Sequence, residues 1–338
     1  MEQKPLLIVV SIVRNEAWVL DAFLSAASCW ADMIIIADQM STDGSREIYK
    51  RYPKVHVIDN DRPNMHQAES RKLVLDEARR VLNGNTNAVL FALDADEVLE
   101  GDFMQLPEWE MIINSKPNDC FEWSWMNLLP GDAKHYDVPV PYYWAVHVSD
   151  QIWDGVFPDN KIHEWRLPFP RSYANEIVLK NFYSLHYGCL SIKRVENKHR
   201  FYQVNSVEDG SRYNMIGLYR QYHPLVDTKI YPVPDDAYIY YQRQGLDIPS
   251  MLNLSDDGEH YTKEVKAYFE KNGTQRYLML DIWDEDWCKR NGIEAPKRSM
   301  AQKLLMRYLK ITNPYSRLWL VRAMDKVLKT IIKKTHRK

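Results

Sequence analysis

The first hundred residues alternate between unbroken apolar runs and stretches with helical spacing. Residues 6–13 are almost wholly apolar and read as a strand buried on both faces. Arg14-Asn15-Glu16 then opens a helix to about Trp30, with Val19, Leu20, Phe23, Leu24 and Ala27 at helical spacing. Residues 33–37 form a second apolar strand, followed by a loop from Asp38 to Ser45 rich in turn formers and N-cap residues. That loop caps a helix to about Tyr52. A third strand covers residues 54–58, a long helix about residues 67–82, and the Asn83-Gly84-Asn85 turn delivers a fourth strand at residues 89–93. The order β-α-β-α-β-α-β with unalternating strands predicts an α/β domain, a mostly parallel sheet with helices on both faces.

The fourth strand ends on Asp94, Asp96 and Glu97. Desolvation and mutual repulsion both oppose crowding acids at the end of a buried strand. A hard divalent cation removes the conflict, and Mg²⁺ or Mn²⁺ held by a couple of carboxylates completes its shell with water and substrate phosphates. The carboxyl end of a strand in an open α/β sheet is also where ligands bind. A solvated acidic turn satisfies the same residues.

Four segments carry a resemblance. They are Ile-Val-Arg-Asn-Glu at 12–16, Ala31-Asp32 ahead of Ile34–Ile36, Asp38-x-x-Ser41-Thr42-Asp43-Gly44-Ser45, and Asp94-Ala95-Asp96. In this order, each at a strand end, they resemble the large family-2 group of inverting glycosyltransferases with the GT-A fold. The likeness is good over about residues 5–105 and thinner to about 205. It implies a nucleotide pocket lined by the first strand and the Asn15-Glu16 turn, with Asp38 on the base or ribose of a nucleotide-sugar, a UDP- or GDP-sugar. Arg71 matches a family position, although Lys72 follows it where the family often has Asn. Asp94 and Asp96 match the metal motif: Asp96 would ligate Mn²⁺ or Mg²⁺ at the diphosphate, and Asp94 would share the metal or hold the ribose. Such an ion stabilises the charge that develops on the leaving group. Asp43 reads equally as an N-cap, and Arg71 as a surface helix cation.

Further along, the run from Trp153 through Asp159 to Ile162-His163-Glu164 looks like the stretch where many members carry their base. Inversion needs one carboxylate to take the acceptor hydroxyl proton. Glu164 is the first choice and Asp159 the second; an ion pair from Glu164 to Arg166 or Arg171 is the competing reading. His186, in Tyr183-Ser-Leu-His-Tyr-Gly188, is similar to a further metal or diphosphate ligand, or is a satisfied core histidine. The cations Lys193, Arg194, Lys198 and Arg200 cover a diphosphate or form a solvated helix face.

Residues 106–150 change character, with prolines at 107, 117, 130, 139 and 141 and aromatic strands around 120–125 and 142–147. Phe121, Trp123 and Trp125 share one strand face, suited either to an acceptor sugar or to core packing. The expected organisation is a GT-A domain over residues 1–205, a mostly helical accessory region over 206–299 with a linker at Pro232-Val233-Pro234, and basic amphipathic helices over 300–338. In the last segment Leu320, Met324, Val327, Leu328 and Ile331 fall on one face and Arg322, Lys326, Lys329 and Lys333 on the other, with Trp319 at the boundary.

The 338 residues suffice for one large core or two medium ones, and 45% hydrophobic with 27% charged content is ordinary for a globular protein. The net charge of -2 hides an asymmetry: residues 300–338 hold 11 Lys/Arg against the single acid Asp325. That tail suits an anionic lipid surface, giving a peripheral enzyme on the cytoplasmic face of the inner membrane; docking on the protein itself or on a second copy, as a homodimer, satisfies it too. No nucleic-acid motif accompanies the charge. Four scattered cysteines with no CxxC spacing argue for a reducing compartment and against structural zinc. Residues 6–13 are too short to span a bilayer. The leading expectation is therefore a metal-dependent hexosyltransferase acting on a saccharide or lipid-linked saccharide in lipopolysaccharide, capsule or other surface glycan synthesis. A non-catalytic nucleotide-binding scaffold subunit and a nucleotidyltransferase are the alternatives. The second lacks a Gly-rich triphosphate loop after the first strand.

Overall fold

The computed structural model describes residues 4–61, 67–131, 133–139, 143–155, 166–167, 174–208, 215–223 and 229–335. The chain divides into two compact units, Met1–Leu190 with Lys229–Ser255, and Ser191–Thr228 with Asp256–Lys338. These boundaries differ from the expected ones at 205 and 299. The basic helix after His186 already belongs to the second unit, and residues 229–255 return to the first.

The first unit opens as the apolar pattern requires: β1 (Leu6–Val13), α1 (Ala17–Ser28), β2 (Met33–Asp38), α2 (Ser45–Tyr49), β3 (Val55–Asp59), α3 (Gln67–Leu82) and β4 (Ala88–Ala92). β3, β2, β1 and β4 lie side by side and all run parallel. Every residue of β4 is buried, because both faces of this half-sheet are covered. Glu97 does not end the fourth strand; it begins a separate short strand, β5 (Glu97–Leu99).

Beyond β4 the sheet becomes mixed. A helix the sequence reading missed, α4 (Pro107–Ile113), uses Pro107 at its first turn, where a missing N–H costs nothing. β6 (Asp119–Leu129), β7 (Lys134–Pro139), β8 (Ala145–His147) and β9 (Asn175–His186) follow, in the sheet order β10-β7-β6-β8-β4-β1-β2-β3, with β9 pairing β5 and β6. The supposed linker contributes an edge strand, β10 (Tyr231–Pro232), paired with His135 and Lys134. A proline fits there because an edge strand leaves one row of N–H groups unused. The parallel β6–β9 and antiparallel β5–β9 pairings bring the end of β9 beside β5, with Glu97 opposite His186.

Under this sheet lies an aromatic core. Phe103 meets Trp30 at 6.3 Å, Trp109 at 5.1 Å, Phe182 at 6.2 Å and Tyr240 at 4.7 Å. Tyr240 and Tyr241, on α7 (Ile239–Arg243), are why the returning segment belongs to this unit. Phe121 and Trp123 are core residues, whereas Trp125 is half-buried and serves the site described below.

The second unit is helical: α5 (Ile192–Glu208), α6 (Met215–Tyr222), α8 (Glu259–Asn272), α9 (Glu285–Asn291), α10 (Met300–Thr312) and α11 (Trp319–Thr335). A capping box between Ser299 and Gln302 starts α10. The tail is two helices separated by a 3-10 turn at Asn313–Tyr315. Its apolar residues split into two stripes. Leu309, Leu328 and Ile332 pack on Ile216 and Tyr219 of α6, so Leu328 leaves the face expected for it. Leu320, Met324, Val327 and Ile331 remain exposed, as does Trp319 at 78%. No described helix is long and apolar enough to cross a membrane.

Phe103→Ala removes the ring joining α4, β9 and α7. It should cost about 3–5 kcal/mol of stability, read as a lower denaturation midpoint by tryptophan fluorescence. A midpoint equal to the parent's would mean that residues 229–255 are not held by this core.

Candidate active site

The carboxyl ends of β1 and β4 face a small cleft lined by Ser11, Ile12, Arg71, Leu75, Asp94 and Arg166. Its enclosed part, among the described residues, is about 20 Å³, room for one or two waters. Ser11 Oγ is buried there without a hydrogen-bond partner among the described residues. Arg71 reaches this cleft from α3.

Asn15 and Asp38 do other work. Asn15 holds φ at +55°, a left-handed value that asparagine tolerates better than most residues. Its Oδ1 accepts from Thr42 N at 2.8 Å, and its own N–H donates to Ser41 Oγ at 3.0 Å. Asp38 is fully buried. One carboxylate oxygen accepts from Ser41 N and Arg46 Nε, the other from Tyr49 OH. Burial first, then the Asp38 charge, push the Tyr49 phenol well above its ordinary value. Asp38 thus organises the loop after β2. Glu16 accepts from Trp18 Nε1 at 2.5 Å at the start of α1. Asp43 is a capping residue: it accepts from Ser45 N and Oγ through one oxygen and from Ala17 N through the other.

The acidic corner is held by a residue that sequence reasoning had assigned only as a partner for Glu164. Arg166 is 4% exposed. Its guanidinium donates to Asp94 Oδ2 at 2.6 Å, to both oxygens of Glu97 at 2.6 and 2.7 Å, and to the Ala92 carbonyl at 3.1 Å. It lies over the Trp144 ring at 4.3 Å. Glu97 also accepts from Trp125 Nε1 and from Asp94 N. Burial pushes the Glu97 carboxyl up, with Arg166 pulling the other way. Glu97 accepts in each of these bonds, the pattern of a carboxylate. Asp94 is therefore tied to Arg166.

Asp96 is the acid left facing a space. Its Oδ2 lies 3.4 Å from His186 Nε2. The other ring nitrogen, Nδ1, is 2.6 Å from Asn127 Oδ1. An amide oxygen only accepts, so Nδ1 carries a hydrogen, and Nε2 is the nitrogen turned toward Asp96. Trp125 stacks on the imidazole at 4.4 Å and 9°. A side chain at Gly188 would place its Cβ 2.8 Å from His186 Nε2 and 2.9 Å from Asp96 Oδ2; glycine keeps the space beside both atoms clear. Asp96, Glu97 and His186 form a three-residue group that could hold a metal ion, their ligand atoms all within 4.8 Å of one another. With the Glu97 oxygens occupied by donors, Asp96 and His186 are the pair that fits an ion. The expected triple of Asp94, Asp96 and His186 is thus brought together only in part. Asp159 and Glu164 lie outside the described residues. Arg166, Asn127 and Trp125 were missed as site residues. Arg166 had one signal, a cation close behind Glu164; Asn127 had none.

Residues 8–106 match the family model of glycosyl transferase family 2. No curated protein matches the chain. Among solved structures, TarS 1-349 of S. aureus is 12% identical, over 98% of this chain and 91% of that one, at a TM-score of 0.38. GalNAc-T7 with UDP, GalNAc and Mn²⁺ is 13% identical over 89% of this chain and 60% of that one, at 0.39. Glucosyl-3-phosphoglycerate synthase from Mycobacterium tuberculosis, in complex with Mn²⁺, UDP and its product, is 15% identical over 36% and 44%, at 0.27. The match thus takes in less than two thirds of the last two chains. The family match thus runs from β1 to just past β5, residues 8–106.

Proposed function

We propose that this protein is a metal-assisted, inverting hexosyltransferase. It takes a sugar from a UDP- or GDP-sugar and passes it to a saccharide or lipid-linked saccharide acceptor in surface glycan synthesis. The observation that carries this reading is the facing pair of Asp96 Oδ2 and His186 Nε2, kept clear by Gly188.

Mn²⁺ or Mg²⁺ held by Asp96 and His186 supplies charge stabilisation for the departing nucleoside diphosphate. The chain's own groups do the rest. Arg71 and the unpartnered Ser11 hydroxyl, both lining the cleft, bind the donor. Asn127 fixes the imidazole tautomer, and Trp125 fixes its plane. Glu164 takes the acceptor hydroxyl proton, with Asp159 as the second choice.

The test is nucleoside diphosphate release across UDP- and GDP-sugars with Mn²⁺. Asp96→Ala should lower turnover at least about 100-fold, and Glu164→Gln by about 100-fold or more. No turnover and no binding with any donor would end the proposal, and unchanged activity in Glu164→Gln would move the base to Asp159. A separate readout is Mn²⁺ affinity measured by electron paramagnetic resonance. Asn127→Leu should weaken it about 10–100-fold, while full affinity would remove His186 from the ligand set.

We further propose that the tail holds the enzyme at the cytoplasmic face of the inner membrane. Support comes from the exposed stripe of Leu320, Met324, Val327 and Ile331, from Trp319, and from the 11 Lys/Arg of residues 300–338. Each interfacial cation contributes up to about 1 kcal/mol on anionic lipid. Deleting the tail is a poor test, because it would uncover Ile216 and Tyr219. The Trp319→Ser/Val327→Ser double variant keeps the docked stripe. It should lose co-sedimentation with anionic vesicles. Sedimentation equal to the parent's would sink the membrane claim, and concentration-dependent self-association without vesicle binding would replace it with a homodimer.

A further inference from the structure

Apolar side chains left in water are concentrated in one part of the second unit. Among the described residues, ten large hydrophobic side chains between Met300 and Ile331 are exposed, against eight in all the rest of the chain. Single exposed apolar residues are ordinary, whereas a run of them on adjoining elements marks an interaction surface. Five of the ten lie outside Trp319 and the α11 stripe. Met300, Leu304 and Ile311, 58–73% exposed, share one side of α10, and Tyr315 and Leu318 stand in the turn between the two helices.

These helices are held to each other and to α6. Leu305, Leu309, Leu328 and Ile332 share a core with Ile216 and Tyr219. Arg220 of α6 donates to the Leu309 carbonyl at 3.0 Å and to Thr312 Oγ1 at 2.6 Å, both on α10. It also donates to both carboxylate oxygens of Asp325 on α11, at 3.2 Å each. Tyr308 of α10 donates to the same carboxylate at 2.9 Å. A helix that folds only on reaching a surface must nucleate there, which is the unfavourable step. α10 and α11 have no such step left to make.

Charge selects what covers the surface. Lys303, Arg307, Lys310 and Arg317 are exposed beside the α10 stripe and the turn. Asp325, the only acid of residues 300–338, is engaged inside the hairpin. An isologous dimer puts the same patch on both partners, so a second copy would set cation against cation with no acid between them. Anionic headgroups pair with those cations while the acyl boundary takes the apolar residues. Tyr315 and Trp319 are of the types that settle at headgroup level. No described helix is long and apolar enough to cross a bilayer, which leaves contact with one leaflet.

Resting on the membrane reading of the tail, we propose that α10, the 313–318 turn and α11 form a pre-folded two-helix anchor for a leaflet of anionic phospholipid. α10 and the turn enter the headgroup layer together with α11, and the hairpin keeps the same fold in water and on the surface.

The experiment is flotation of the full chain with vesicles of phosphatidylglycerol and phosphatidylcholine in equal parts, and with vesicles of phosphatidylcholine alone. The parent should bind the anionic vesicles more tightly than the neutral ones, and added salt should weaken that binding. Leu304→Ser/Ile311→Ser keeps the docked core, Trp319 and Val327; it should lower affinity for anionic vesicles about tenfold or more. Leu318→Ser, in the turn, should lower it severalfold. Far-UV circular dichroism of the parent should show the same helical signal with and without vesicles. A parent that binds while Leu304→Ser/Ile311→Ser binds equally well overturns the two-helix anchor and leaves α11 as the whole contact. Helicity that rises on vesicles overturns the pre-folded hairpin, and equal affinity for both vesicles overturns the role of the cations. A parent that binds neither vesicle removes the membrane reading itself, and self-association that disappears in Leu304→Ser/Ile311→Ser gives the surface to a second copy instead.

Discussion

Of three carboxylates within four residues, at the end of a strand buried on both faces, two are held by one guanidinium. Removing one partner of a buried ion pair costs about 3–5 kcal/mol, several times the roughly 1 kcal/mol of an ordinary hydrogen bond. Arg166 therefore matters more than any single contact around it. It engages Glu97 through both oxygens and Asp94 through one, and leaves Asp96 to face His186. Without it, Glu97 would be a buried, uncompensated charge at the start of β5, the strand that positions His186 through β9.

Trp125 connects the two halves of this arrangement. Its N–H donates to Glu97 and its ring stacks on His186, while the Arg166 guanidinium sits 5.6 Å from the same ring. Trp144 stacks on Trp123 and carries Arg166 on its face. The aromatic density of β6 thus has two purposes along one strand. Phe121 and Trp123 fill the core, and two residues on, Trp125 fixes the plane of a candidate ligand. Buried aromatics are stiff and large, so the plane of the imidazole beside the paired strands β5 and β9 is set by a rigid ring rather than by a flexible side chain.

The parallel half of the fold was legible because strands covered on both faces are apolar throughout and the helices between them keep a 3.6-residue period. Asp96 and His186 were legible because each sits in a short motif at a strand end. Asn127 and Arg166 were not. Their contacts reach across 59 and up to 74 residues, and an asparagine inside a strand or an arginine after a proposed base has no local pattern that marks it. Residues 229–255 were misread for a related reason. Pro232 and Pro234 signal a linker locally, yet β10 pairs at a sheet edge and Tyr240 and Tyr241 fill the core, which only tertiary contacts reveal. Asp38 and Asp96 look alike in sequence, each an acid closing an apolar strand. They part company only when bonds are counted: Asp38 accepts from Ser41 of its loop and from Arg46 and Tyr49 of α2, whereas an Asp96 oxygen lies 3.4 Å from His186 Nε2.

The same counting explains the tail. Its one acid, Asp325, is 9% exposed and bonded to Arg220 and Tyr308. It joins α11 to α6 and α10 from inside and contributes almost nothing to the surface, so the charge seen from outside is more one-sided than the composition suggests. α11 therefore has three faces rather than two: a docked stripe with Val321, Asp325 and Leu328, an exposed apolar stripe from Leu320 to Ile331, and a cationic one with Arg322, Lys326 and Lys329. Two faces, one apolar and one polar, satisfy a helix whose task is to cover its own unit. Keeping Leu320, Met324, Val327 and Ile331 in water incurs a hydration cost of about 25 cal/mol for each Å² left uncovered, and that cost is relieved by whatever covers the stripe.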